Sequence, residues 1–302
     1  MRYVGAEDVL ALGYRAAIEA ITDALRSDFD PATDPARTAV GTSHGQFLLM
    51  PSEVGASAGV KVVTVAPDNP SRGLPRIAAA YLLFDAETLQ LQAILDGTAL
   101  TTLRTPAVSV AAIRPALPDR PLDVVVVGSG PQAAGHAAAL AAVAEIDRLS
   151  YLVRDPSRVA LPSVALGSPE ARDALASADV VVCATSARKP LFDSALLRGD
   201  AVVVAVGSHE PDARELDTAL LSRAVVVVED AATALREAGD VVLAVADGAL
   251  TGDDLVPMRT FVREGGRPDG RRPEGRVVVK TVGMAWQDLV VADAVVSRLA
   301  TP

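Results

Sequence analysis

Over residues 4–25 the apolar positions Val9, Leu10, Leu12, Ala16, Ile18, Ile21 and Leu25 recur at helical intervals, which predicts an amphipathic helix. A Pro- and Asp-rich connection at 28–35 ends it. Residues 47–50 and 60–65 then read as strands, and 67–75 as a loop rich in Pro, Asn and Gly. Residues 77–84 and 91–95 read as a strand pair. Residues 98–113 return to helical spacing, closed by Pro115 and Pro118. Beyond that point the pattern changes. Buried-strand signals, mostly valine-rich apolar runs, at 124–127, 149–153, 179–183, 201–206, 224–228 and 277–279 are separated, in several cases, by helix-compatible stretches. Strands that are apolar on both sides belong in a parallel sheet with both faces covered. A domain boundary is therefore placed near residue 116.

The first of those runs ends in Val-Gly128-Ser129-Gly130-Pro131-Gln132-Ala133 and opens an alanine-rich stretch. Gly128 permits a tight turn, Gly130 lets backbone approach a phosphate, and Ala133 still allows close packing of helix on strand. Pro131 suits the first helical position, where its missing N–H costs nothing. The helix N-terminus offers its free N–H groups to an anion. Alone, such a turn can mark any strand-to-helix junction in a chain with 22 glycines. Followed by this series of strands, it predicts a dinucleotide-binding Rossmann domain.

Composition narrows the function classes. The 302 residues suffice for two cores, and 50% hydrophobic with 22% charged residues is a globular balance. A formal charge of −10 argues against a nucleic-acid surface, which needs a concentrated basic face. With no long uncharged apolar span and no apolar leader after Met1, no membrane association is expected and the reading is cytoplasmic. Cys183 is the only cysteine and ends an apolar run, where a buried inert thiol is expected. His44, His136 and His209 are scattered without metal-ligand spacing, so no metal is expected. The segment 263–276, with five arginines among acidic residues and glycines, reads as a solvated loop, with a lid over the site as the alternative.

Three cations are out of keeping with their neighbours. Lys61 shares a strand face with Val63 and Val65 while the other face is also apolar, and a lysine there needs an anionic partner. Arg104, if 98–113 is helical, shares its face with Ala107, Val108 and Ala111. Arg37 follows Pro35. A snorkelling cation or structural ion pair accounts for each one alone. Together, beside a nucleotide fold, they suggest a pocket for a small carboxylate, with arginine as bidentate fork and lysine as point charge.

At these residues the chain resembles the ornithine cyclodeaminase/mu-crystallin family. The blocks are Pro35-Ala-Arg37-Thr, Gly59-Val-Lys61-Val-Val-Thr64, Asp96-Gly97, Thr101-Thr-Leu-Arg104-Thr105-Pro-Ala107-Val-Ser109, the Gly128 turn, Val206-Gly-Ser208-His-Glu-Pro-Asp-Ala-Arg-Glu215-Leu-Asp217 and Thr281-Val-Gly283-Met-Ala285-Trp-Gln-Asp288. They occur in the family's order and spacing over nearly the whole chain. The resemblance implies an α/β fold: a Rossmann-type doubly wound parallel sheet domain at 116–289, plus a smaller α+β substrate-binding and dimerisation domain at 1–115, completed by 290–302. It implies a homodimer and an NAD(P)-dependent oxidoreductase that moves hydride at the alpha carbon of a small imino or amino acid. Arg37, Lys61 and Arg104 match the positions that hold the carboxylate, and Lys61 would also polarise or protonate the imine nitrogen. The cofactor-binding positions expected are Thr105, Gly128, Ser129, Gly130, Pro131, Gln132, Arg154, Asp155, Arg158, Thr185, Gly207 and Gly283. NADP(H) is expected ahead of NAD(H), because Arg154 follows the second strand and can pair with a 2′-phosphate, although Asp155 adjoins it.

Cyclodeaminases carry an aspartate two residues after the glycine of the strand-end block, where this chain has His209. Imidazole can move a proton, so His209 is a catalytic candidate beside Lys61. A surface histidine without a catalytic part is the alternative. The departure puts cyclodeamination of ornithine to proline behind ketimine reduction or amino-acid dehydrogenation. A third possibility is an NADPH-linked ligand-binding protein without turnover, against which the retention of all three carboxylate-binding positions argues.

Overall fold

The computed structural model describes residues 1–208, 210–266 and 273–300. The chain begins with β1 (Arg2–Val4), α1 (Ala6–Leu10) and α2 (Gly13–Arg26), then β2 (Thr38–Thr42), β3 (Gly45–Val54), β4 (Ser57–Val65), β5 (Ile77–Asp85), β6 (Leu91–Asp96) and α3 (Gly97–Ile113). It continues with β7 (Leu122–Val127), α4 (Pro131–Ala141), β8 (Ile146–Val153), β9 (Val164–Ala165), α5 (Pro169–Ser177), β10 (Val180–Cys183) and β11 (Val202–Ala205). The last stretch holds α6 (Thr218–Leu221), β12 (Ala224–Val228), α7 (Ala231–Glu237), α8 (Gly239–Ala246), β13 (Leu255–Pro257), α9 (Met258–Arg263), β14 (Arg276–Lys280) and α10 (Ala285–Ala300).

These elements form two compact units, Met1–Val108 with the segment from Gly283 onward, and Ser109–Val282. The first division falls inside α3 and the second just after β14, against 115/116 and 289/290 in the sequence reading. The helix runs on through Pro106 and past the division without a break, so the local pattern does not mark the point where its neighbours change.

The first unit is a six-stranded sheet in the order β1-β6-β5-β4-β3-β2, antiparallel except where β1 joins β6. Helix α10 packs on β3, β4 and β5 and against α2. The strand period of two therefore buries Met50, Lys61, Val63, Tyr81 and Leu83 on the covered face. The other face presents Val40 and Phe47, both exposed, with half-buried Leu49, Val60, Val62, Leu82 and Ile94. The single helix expected over 4–25 is broken into α1 and α2, because Gly13 takes φ +77° and turns the chain there.

The second unit is an eight-stranded, wholly parallel sheet in the order β13-β12-β14-β11-β10-β7-β8-β9. Its central strands are valine-rich and buried along their length, as runs apolar on both sides require. Consecutive strands run outward from β7 to β8 and β9, then from β10 back across the other side. The strand order thus reverses between β7 and β10, where doubly wound sheets open a ligand crevice. Of the segment 263–276, Arg263 closes α9 and Arg276 opens β14, while residues 267–272 lie outside the described residues, so the lid reading cannot be placed.

Candidate active site

In the first unit, Lys61 lies mid-strand in β4, between Met50 and Tyr81 on the neighbouring strands, and is 3% exposed. An ammonium taken out of water without a partner costs several kcal/mol. The partner is Asp288: Lys61 Nζ donates to its Oδ1 at 2.8 Å, and the carboxylate is fully buried. Asp288 sits in the first turn of α10, where the helix dipole favours a negative charge. Burial draws the Lys61 ammonium down to about 8, with Asp288 pulling the other way and Arg104 and Arg37 reinforcing the fall. At neutral pH the group stays mainly charged, yet its proton is close to transferable.

Arg104 projects from α3 beside this pair. Its Nη1 donates to Gln287 Oε1 at 2.6 Å, and its Nε lies 3.5 Å from Asp288 Oδ1. Arg37 Nη2 donates to the Gly283 carbonyl at 2.7 Å. Gly283 takes φ +84°, and a Cβ there would come within 2.8 Å of Arg104 Nη2, so the chain needs glycine to pass the guanidinium. Gly283 thus belongs to the same unit as Arg37 and Arg104, and Thr105 follows Arg104 on α3. Asp34 ties the Arg37 loop to the start of α10, since its carboxylate accepts from Ser52 Oγ at 2.5 Å and from Trp286 N at 3.0 Å. Burial lifts Asp34 to about 6, against hydrogen bonds from Ser52 and the Trp286 and Ala285 backbone.

In the second unit, Gly128, Ser129 and Gly130 at the end of β7, Arg154 after β8, and Thr185 after β10 line one cavity of about 390 Å³. Gly128 takes φ +127°, and a Cβ on it would meet the Ala184 carbonyl at 2.5 Å, so a side chain there would close the crevice. Pro131 and Gln132 begin α4, with Gly130 as its N-cap. The donor-rich helix start, the glycine cradle and the cavity fit a dinucleotide's pyrophosphate. Asp155 turns into its own loop instead, accepting from Ser157 N at 3.1 Å and Ser157 Oγ at 2.6 Å, and Arg158 closes that turn. Gly207 follows β11 and donates its N–H to Glu215 at 2.8 Å.

His209 lies outside the described residues. His136 is buried in the second unit: its Nδ1 lies 2.7 Å from the Gln132 carbonyl, which can only accept, so Nε2 accepts from Ser109 Oγ at 2.9 Å. Burial lowers it to about 4, leaving it a neutral structural link between α3 and α4. Cys183 is fully buried and its thiol is pushed up by burial, which suppresses the thiolate. Among the described residues no group of three His, Cys, Asp or Glu is placed to hold a metal, and no helix is long and apolar enough to cross a membrane. Sequence reasoning assigned no role to Asp34, Gln287 or Asp288. The one available signal was that Lys61 required an anion.

The chain matches the model of the ornithine cyclodeaminase/mu-crystallin family over residues 6–301. It is 33% identical over 297 residues to Delta(1)-pyrroline-2-carboxylate reductase 2 of Burkholderia ambifaria, covering 94% of this chain and 91% of that one. It is 35% identical over 270 residues to the Delta(1)-pyrroline-2-carboxylate/Delta(1)-piperideine-2-carboxylate reductase of Azospirillum brasilense, covering 85% and 83%. The iminosuccinate reductase of Paracoccus denitrificans, solved in complex with NAD+, superposes with a TM-score of 0.85 at 25% identity over 98% of this chain and 95% of that one. The chain therefore belongs to the ornithine cyclodeaminase/mu-crystallin family.

Proposed function

We propose that this protein is an NADPH-preferring imine reductase that converts a small cyclic α-imino acid, of the Δ1-pyrroline-2-carboxylate class, to the corresponding cyclic amino acid. The observation that carries the reading is the buried Lys61–Asp288 pair set among Arg104, Gln287 and Arg37. Three cations against two carboxylates, Asp288 and Asp34, leave an excess of positive charge, which a substrate carboxylate neutralises. The two guanidinium groups fix its plane, and the imine nitrogen needs one proton as the C=N bond is reduced. Lys61, charged yet lowered to about 8, is suited to supply it. The nicotinamide, when bound, supplies the hydride. The names of the relatives and the NAD+ of the iminosuccinate reductase complex support this chemistry.

Two finer points belong to the same proposal. Arg154 lines the crevice after β8, where an acidic side chain would select the free ribose hydroxyl, and Asp155 spends its carboxylate on Ser157. This supports NADPH over NADH. The sheet face bearing Val40, Phe47, Val62 and Leu82 supports a homodimer, because a contiguous apolar sheet face needs cover.

The test is a screen of purified protein with NADPH and NADH against cyclic imino acids, and against keto acids with ammonia or methylamine. The proposal expects reduced cofactor to be consumed with the cyclic imino acids. Ornithine turnover without net cofactor change would make it a cyclodeaminase instead, and binding without turnover a ligand-binding protein.

A further inference from the structure

In the second unit, a carboxylate outside the Gly128 turn holds two of the expected cofactor positions, Thr185 and Gly207. Glu215 is fully buried. Its Oε1 accepts from Thr185 N at 2.8 Å and Thr185 Oγ1 at 2.7 Å, and its Oε2 accepts from Gly207 N at 2.8 Å. One side chain therefore holds the loop ends that follow β10 and β11. Thr185 Oγ1 also accepts from Ala187 N at 3.1 Å, which extends the hold along the cavity wall. The preceding carbonyl, Ala184 O, is the atom against which Gly128 is packed, so a shift at Thr185 is felt at the fingerprint turn.

Glu215 is itself fixed from behind. The backbone N–H groups of Glu215 and Leu216 both donate to Asp240 Oδ1 at 2.8 Å, and Leu191 N donates to the Glu215 carbonyl at 2.9 Å. Asp240 pairs with Lys280 at 3.3 Å, both fully buried, and Lys280 Nζ donates to Ser208 O at 2.5 Å and Ala205 O at 3.3 Å. Burial raises the Glu215 carboxyl, while Thr185, Gly207 and Lys280 favour its charged form. A core need not contain such a network to be stable, and apolar side chains of similar volume often serve as well. What the network adds is orientation, since three donors from two loops converge on a rigid acceptor pair.

We propose that Glu215 is a positioning residue for the dinucleotide site, setting the main chain of Thr185 and Gly207 on which the cavity wall depends. This rests on the nucleotide-binding reading above and deepens it. Glu215→Gln keeps the shape but replaces one oxygen by an NH2 group that faces a donor, so it releases Gly207 or sets an N–H against Thr185 N–H in either orientation. Reduced-nucleotide fluorescence, titrated well below the unfolding temperature, is expected to give a Kd about ten-fold weaker for both NADPH and NADH. KM for the nucleotide should rise in step while KM for the imino acid stays unchanged, a split that a purely stabilising role would not produce. Should Glu215→Gln fail to fold, Thr185→Val decides: it removes the hydroxyl that donates to Glu215 and accepts from Ala187 N while keeping the Thr185 N–H bond, and a Kd about three-fold weaker for both nucleotides is expected. Wild-type binding with a Kd within two-fold in the folded variant would overturn the positioning role alone. A wild-type protein that binds neither nucleotide would overturn the nucleotide reading and this inference with it.

Discussion

A lysine in the middle of a buried strand is held at the cost of desolvation, and at Lys61 the sum of neighbours leaves it able to release its proton near neutrality. Burial, Arg104 and Arg37 draw it down to about 8, and Asp288 pulls it up. Because its pKa is lowered, the charged form is present below about pH 8 and lost as pH rises through it. In the reductive direction kcat/KM should therefore show an alkaline limb near pH 8. Asp288→Asn removes a charge that holds the proton, so the limb should move to lower pH by about one unit. The pH–rate profiles of the two proteins check this, and a limb that stays in place would assign it to another group. The need for an anion beside Lys61 was legible in the strand pattern. Its identity was not, because Asp288 lies 227 residues away in sequence and only packing of α10 on β4 brings it close.

Among the elements, the second unit was read well because each central strand is buried on both faces and announces itself as a valine run. The strands that escaped are edge or near-edge strands. Every residue of β2 is exposed, while β9 and β13 have two and three residues, too short for any period to register. The residue that follows β8 carries a functional consequence. Arg154→Ala should weaken NADPH binding by roughly 1.5 to 3 kcal/mol, the range of a hydrogen bond to a charged group, and leave NADH unchanged. Paired titrations measure this directly, and equal losses for the two nucleotides would remove Arg154 from the discrimination. Asp155 made that assignment ambiguous in sequence, because its turn with Ser157 is a local geometry that the order of residues does not reveal.

At the scale of the whole molecule, chemistry is divided between the two units. One carries the cations and Asp288, and the other carries the glycine turn, Arg154 and the loops held by Glu215. The change of apolar pattern along the chain places a boundary near residue 116, while the compact units divide inside α3, between Val108 and Ser109. A change to the proposed carboxylate clamp should therefore leave the nucleotide site intact. The decisive measurement compares wild type with Arg104→Leu in two assays, NADPH titration by fluorescence and reduction of Δ1-pyrroline-2-carboxylate. The expected result is a nucleotide Kd unchanged within about two-fold and a loss of roughly 30-fold to 1000-fold in kcat/KM, as for one charged contact to the transition state. Undiminished turnover in Arg104→Leu, or nucleotide binding lost together with turnover, would contradict it.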